Sequence, residues 1–264
     1  MPSTARRSSE VEPLEVERIP WSQLGPDFIA SWGRPRGKVQ PEHLEILGPT
    51  GAGKSTLLRE ILLERTRRRA SSVVVVATKP DDATVIDFGW PIVDDWRGVE
   101  KHEQVIFWPR TKAIGEEREA YQEAKIKGLL DRLWHPQSNT VLVLDEWSWV
   151  EGLSARMKKT LNMYLREGRG LGITCVMGKQ RVQGTQRDMH SESDWKISFK
   201  MNDRDDNERL AQLFGNKREY VPVIESLDRE KREFLIQHKL TGATFISWVD
   251  EVHKGSPPPT GYRR

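Results

Sequence analysis

At 264 residues the chain is long enough for one α/β domain with a full core plus appended segments. Apolar residues make up 36% and charged residues 31%, a balance that fits polar tails around an ordinary core. The net charge of +3 gives no global basic field, and a single cysteine, Cys175, excludes an intramolecular disulfide and a cysteine-built zinc site.

Residues 1–38 read as a flexible N-terminal arm and linker. Arg6 and Arg7 have no apolar stretch behind them, so they do not open a signal peptide. Two aromatic segments, 21–24 and 28–32, are placed to dock on the core or on a neighbouring subunit, and 33–38 is basic and rich in breakers. From residue 39 to 252 short apolar runs alternate with longer helical patterns. Strands are predicted at 43–47, 72–77, 105–108, 140–144, 173–177 and 195–199; helices at 54–69, 116–134, 155–167 and 205–214. Residues 219–239 read as a charged helix and 243–249 as a late strand. Several strands are nearly continuous Val, Leu and Ile, as in a parallel sheet buried on both faces. The expected fold is therefore a three-layer α/β sandwich with a mostly parallel central sheet and polar tails. Residues 253–264, with three consecutive prolines, read as a disordered tail. The longest apolar runs are too short for a bilayer, so a cytoplasmic location and no membrane partner are expected.

The first chemical motif follows the first core strand. Gly48, Pro49, Thr50, Gly51, Ala52, Gly53, Lys54, Ser55 and Thr56 match G-x-x-x-x-G-K-[ST], between an apolar strand and a helix. Glycines let successive amides turn inward onto phosphate oxygens, and the helix directs its positive dipole end at the same anion. Lys54 is suited to the β- and γ-phosphates and Ser55 to Mg²⁺. The second motif is Val141-Leu142-Val143-Leu144-Asp145-Glu146. A central strand delivering two carboxylates beside the phosphates gives Asp145 for Mg²⁺ and Glu146 as the base that takes a proton from the attacking water. Together these motifs imply binding and hydrolysis of Mg-ATP.

Two later segments narrow the reading. Leu165-Arg166-Glu167-Gly168-Arg169-Gly170-Leu171-Gly172 runs through a buried strand to Gly178-Lys179-Gln180-Arg181. This block resembles the FtsK/HerA superfamily of hexameric DNA motors, as does the segment 195–206. Ala77-Thr78-Lys79-Pro80 lies where that family often carries a lysine. The resemblance covers residues 42–215 and implies a RecA/ASCE-like P-loop NTPase acting as a homo-oligomeric, hexameric ring on double-stranded DNA. It implies that Gln180 senses the γ-phosphate and that Arg169, with Arg166 second, reaches into a neighbour's site as an arginine finger. Lys179 stands where a small residue is usual and Val182 where proline is frequent; with no membrane anchor and no appended winged-helix DNA reader read in the sequence, a compact motor of the viral packaging or mobile-element kind is expected over a chromosome-segregating one. Arg110, Lys112, Lys179, Arg181 and Arg187 are the candidate phosphate contacts for duplex DNA. The run from Arg65 to Arg69 closes a helix and reads as structural. The ten tryptophans read as core or interface residues. The alternative function is a P-loop switch that controls a protein partner. A small-molecule kinase is disfavoured by Glu146, and an ABC-type ATPase by the lack of a Leu-Ser-Gly-Gly-Gln signature.

Overall fold

The computed structural model describes residues 14–32, 41–68, 72–81, 83–86, 88–182 and 187–250. In chain order the elements are β1 (Glu17–Arg18), α1 (Trp21–Trp32), β2 (Leu44–Leu47), α2 (Lys54–Arg68), β3 (Ser72–Val76), α3 (Ala83–Ile86), β4 (Ile92–Val93), α4 (Trp96–Val99), β5 (Gln104–Phe107) and α5 (Gly115–Leu133). They continue as β6 (Thr140–Leu144), α6 (Trp147–Gly152), α7 (Ala155–Glu167), a 3-10 turn (Gly168–Leu171), β7 (Thr174–Lys179), α8 (Arg187–Glu192), β8 (Trp195–Phe199), α9 (Arg204–Phe214), α10 (Lys217–Glu225), β9 (Phe234–His238) and β10 (Thr244–Ser247).

The strands form one sheet in the order β1-β10-β9-β8-β2-β7-β6-β3-β5-β4. From β8 to β4 every pairing is parallel, and β9 pairs antiparallel with both β8 and β10. Helices cover both faces. One face carries α1, α2 and α3, with Phe28, Ile29, Leu57, Ile61 and Val85 against Leu44, Ile46, Val73 and Val176. The other carries α5, α6 and α7 over β5, β6 and β7, and α9 and α10 over Leu47, Leu235 and Ile246. This is a three-layer α/β sandwich with a mixed, mostly parallel sheet.

Local sequence explains the elements. The valine run of β3 is β-branched and buried on both faces. In α5, Ile126, Leu129, Leu130 and Leu133 recur at helical spacing and bury one stripe. Ser154, Asp203 and Asn216 cap α7, α9 and α10 by accepting amide hydrogen bonds from Met157, Asp205 and Arg218. The aromatic segment after the arm is helix α1, docked on the core through Phe28, which stacks on Trp32 and meets the Trp195 ring edge-on. Arg65 is buried with its guanidinium over the Trp32 ring, so its role is structural. The limits expected at 38 and 253 lie outside the described residues. Among the described residues no helix is long and apolar enough to cross a membrane.

Residues 219–239 are not one helix. After α10 the chain turns at Asp228, whose carboxylate accepts the amides of Glu230 and Lys231. Arg232 then takes a left-handed φ of 54°, and β9 follows. Phe234, Leu235 and Ile236 are buried alternately toward opposite faces, a demand that a strand inside the sheet meets and a surface helix does not.

One buried histidine ties the layers together. The His43 Nδ1 accepts from the Cys175 amide at 3.0 Å, its Nε2 donates to the Leu165 carbonyl at 3.0 Å, and its own amide donates to Asp194 at 2.8 Å. Burial, with the nearby Arg169 charge, lowers its pKa from 6.5 to about 3. The ring is therefore neutral in the folded protein and protonates only in the unfolded chain. Its contribution is complete above about pH 6.5 and is lost as pH falls toward about 3. Between those limits His43 should add a slope of about 1.4 kcal/mol per pH unit to the unfolding free energy. Urea titrations across that range should show this slope in the wild type and a correspondingly flatter one in His43→Gln.

Candidate nucleotide site

The loop from Gly48 to Thr56 leaves β2 and enters α2. Gly51 and Gly53 have φ of 80° and 106°, in the left-handed region that glycine occupies at no steric cost. A Cβ on Gly48 would lie 2.9 Å from the Phe199 Cβ, so this position also requires glycine. The Lys54 ammonium folds back onto its own loop and donates to the carbonyls of Gly48 at 2.6 Å and Pro49 at 3.0 Å. Burial lowers the Lys54 pKa; Asp145 and Glu146 oppose that shift and Lys79 adds to it. Ser55 and Thr56 follow in the first turn of α2, both half-buried.

The acid pair reaches this loop because of the strand order. Strand β7 lies between β2 and β6, with Leu47 opposite Lys179 and Leu144 opposite Met177. The Gly48 amide donates to the Lys179 carbonyl at 3.1 Å. On the other side, a Cβ on Gly178 would lie 2.3 Å from the Asp145 carbonyl oxygen and 2.8 Å from its Oδ1. Gly178 thus lets the strand ends close up. The next residue but one, Gln180, bridges the two motifs: its Oε1 accepts from the Thr50 hydroxyl at 3.0 Å, and its Nε2 donates to Glu146 Oε1. Lys79, just past β3, completes the cluster at 3.3 Å from Glu146 Oε1 and 3.9 Å from Asp145 Oδ2.

On the side of the loop toward β8 and β9 lies a cavity of about 170 Å³. Residues 49–52 form one wall, and Phe199, Asn202, Arg229 and Arg232 stand on the other. The Arg232 side chain approaches Gly53, its Cδ 3.2 Å from where a Cβ would be.

The remaining expected residues lie elsewhere. Arg169 sits in the turn before β7, about 17 Å of strand away from Gln180 at the standard rise per residue. There it pairs with Asp194 at 3.0 Å and donates to the Glu192 carbonyl. Arg166 is exposed in the last turn of α7. Lys179 is buried (2% exposed), so it cannot serve as a phosphate contact on a DNA-facing surface. Arg110, Lys112 and Arg181 are exposed on the strand-end edge that carries the glycine loop; the side chain of Arg187 lies outside the described residues. Cys175 is buried and its thiol pKa is pushed up to about 12 by burial, so it packs as a hydrophobe. Sequence reasoning missed the wall made by Arg229 and Arg232, because a helix there would not have turned back toward the loop. It noted Lys79 only by position. Its location at a strand end on the glycine-loop edge was the available signal.

No family model matches the sequence, and no curated protein resembles it in sequence. Solved structures do share the fold. The genome packaging NTPase B204 of Sulfolobus turreted icosahedral virus 2, in complex with AMPPCP, superposes with a TM-score of 0.60 at 14% identity, over 80% of this chain and 98% of that one. The fold is that of a RecA/ASCE-like P-loop NTPase. The cytoplasmic domain of the Thermomonospora curvata type VII secretion ATPase EccC matches at TM-score 0.56 and 19% identity, over 81% of this chain and 27% of that one. EssC (ATPases 2 and 3) of Geobacillus thermodenitrificans matches at TM-score 0.53 and 16% identity, over 82% and 40%. The chain thus spans nearly all of the viral protein and less than half of the other two chains.

The close approach at Gly178 gives a direct test of the site's construction. Gly178→Ala should lower the unfolding free energy by about 3 kcal/mol, because the new methyl group meets backbone that cannot move aside. Gly170→Ala, with nothing within 4 Å of the added atom, should change it by less than about 1 kcal/mol in the same urea titration.

Proposed function

We propose that this chain is an Mg-ATP-dependent ATPase of the FtsK/HerA type that moves or packages double-stranded DNA as a homo-oligomeric, hexameric ring. The observation that carries the hydrolytic part is the Thr50–Gln180–Glu146 bridge, which links the phosphate loop to a carboxylate through one side chain. A kinase pocket or a passive glycine turn has no use for that link. In this reading the triphosphate displaces the Gly48 and Pro49 carbonyls from Lys54 and takes the ammonium for its β- and γ-phosphates. The nucleoside half extends into the cavity beside Phe199, Asn202 and Arg232, away from the acid pair. Glu146 accepts the proton of the attacking water, and Gln180 reports to the loop whether the γ-phosphate is present.

The hydroxyl of Ser55 and the half-buried carboxylate of Asp145 are hard oxygen donors, few in number, and fit Mg²⁺, which keeps several waters. Held there, the ion would neutralise charge on the phosphates. In this reading Arg169, at the opposite end of β7 from Gln180, would act only on a neighbouring copy in a ring, and would have to leave Asp194 and the Glu192 carbonyl to do so. With a net charge of +3, DNA contact must come from local cations, and the exposed Arg110, Lys112 and Arg181 share the edge where nucleotide-driven movement would begin. The fold likeness to a genome packaging NTPase supports the same reading.

Steady-state ATP hydrolysis with and without linear duplex DNA tests it. The wild type should hydrolyse ATP faster with DNA, Glu146→Gln should lose at least 100-fold in kcat while still binding nucleotide, and Lys54→Ala should lose nucleotide binding. Hydrolysis that needs Glu146 but ignores DNA across a range of salt would leave an ATPase switch acting on a protein partner. Hydrolysis indifferent to Glu146 would overturn the site assignment itself. Arg232→Ala should raise KM for ATP about fivefold with little change in kcat, since it removes a contact made equally before and during reaction.

A further inference from the structure

We infer that the site hydrolyses GTP as readily as ATP, because the base is held by Asn202 and Arg232 and neither side chain tells the two purines apart. The inference rests on the nucleotide site proposed above, with the phosphates on the glycine loop and the nucleoside in the cavity beside it. Five polar side chains line that cavity outside the loop: Lys200, Asn202, Arg229, Arg232 and Glu233. Three of them are engaged with the fold. The Lys200 ammonium donates to the Glu225 carbonyl, and the Arg229 guanidinium to the Met201 carbonyl. Glu233 is buried, accepts the Asp228 amide at 3.0 Å and faces Arg18 at 3.5 Å. Among the described residues, the Asn202 amide and the Arg232 guanidinium have no such partner.

The backbone beneath both groups is fixed. Next to Asn202, the Met201 amide and carbonyl are both taken by the Asn207 side chain, at 2.8 and 3.2 Å, and Asp203 caps α9. The Arg232 amide donates to the Arg229 carbonyl at 3.1 Å, and the residue holds a φ of 54°. That region favours glycine or asparagine, so an arginine held there points to a use for its side chain. Its stem runs beside Gly53 of the glycine loop, which leaves the guanidinium at the cavity wall for a base to stack on. Stacking uses the ring face that every base has and reads no edge. Asn202 meets an edge but cannot choose between purines. Adenine presents an amino donor at position 6 and an acceptor at N1; guanine reverses both, with O6 and N1–H. An amide carries a donor and an acceptor side by side, so turning it over pairs it with either. Strong rejection of a wrong base also requires buried groups that the wrong base leaves unpaired. Asn202 is exposed, and water satisfies it whichever base is bound.

The test compares kcat/KM for ATP and GTP in full-length protein with linear duplex DNA present. The wild type should use the two within about fivefold of each other, and a larger preference for either overturns the inference. Asn202→Asp replaces the amide by a carboxylate, which only accepts: it pairs with the N1–H and amino donors of guanine and faces the lone pair of adenine N1. That variant should shift the ratio toward GTP by at least about tenfold. An unshifted ratio in a protein of unchanged melting temperature places the base elsewhere and overturns the inference. Asn202→Ala should lower both values and keep the wild-type ratio; a changed ratio also counts against it. Arg232→Ala should raise KM about fivefold for GTP as for ATP, since stacking is common to both, and a rise for only one would mean that Arg232 reads an edge. Hydrolysis of either nucleotide that survives Glu146→Gln would instead remove the site assignment beneath the inference.

Discussion

The site depends on one steric constraint: the ends of β2, β7 and β6 must come together with β7 in the middle. Gly178 permits this by leaving no side chain where Asp145 stands. Because β7 is between the other two, a residue just past its end can touch both the phosphate loop and the acid pair. Gln180 does so with the two ends of a single amide, accepting from Thr50 and donating to Glu146. A side chain that both accepts and donates is needed there, and an amide is the group of that length that supplies both functions.

The charges around this bridge form a balanced set. Lys54 and Lys79 face Asp145 and Glu146 in a partly buried cluster, and Lys54 also satisfies carbonyls of its own loop. Such an arrangement is stable without a ligand and is reorganised by one, since an incoming triphosphate adds negative charge where two cations already wait. The opposite edge of the sheet is built differently. There His43, Asp194 and Arg169 join β2, β7, β8 and α7 through buried polar contacts, and a neutral imidazole is the centre of that network.

Much of this was legible in the sequence because it depends on local pattern. The valine and leucine runs of β3 and β6, the glycine loop, the acid pair and the helical spacing of α2, α5, α7 and α9 each sit within a few residues of chain. The residues of the phosphate loop and acid pair could be named for the same reason: a strand, a tight turn and a helix N-terminus follow one another directly. The helix read at 219–239 failed because its charge pattern fits a solvated helix as well as it fits a short helix, a turn and an edge of the sheet. What decided was a long-range partner, β8, which the local pattern does not contain.

The sequence by itself determined the kind of fold and the two half-sites, since backbone conformation at glycine and the burial of apolar runs are set by neighbours in the chain. Only the tertiary structure decided which strand separates those half-sites, that Lys179 faces the interior, that Lys79 meets Glu146, and that the turn carrying Arg232 closes the far side of the phosphate loop. These depend on contacts between residues far apart in the chain, as the bridge between Gln180 and Glu146 at a separation of 34 illustrates. Contacts at that range are chosen by strand order and packing, for which no single stretch of sequence carries the instruction.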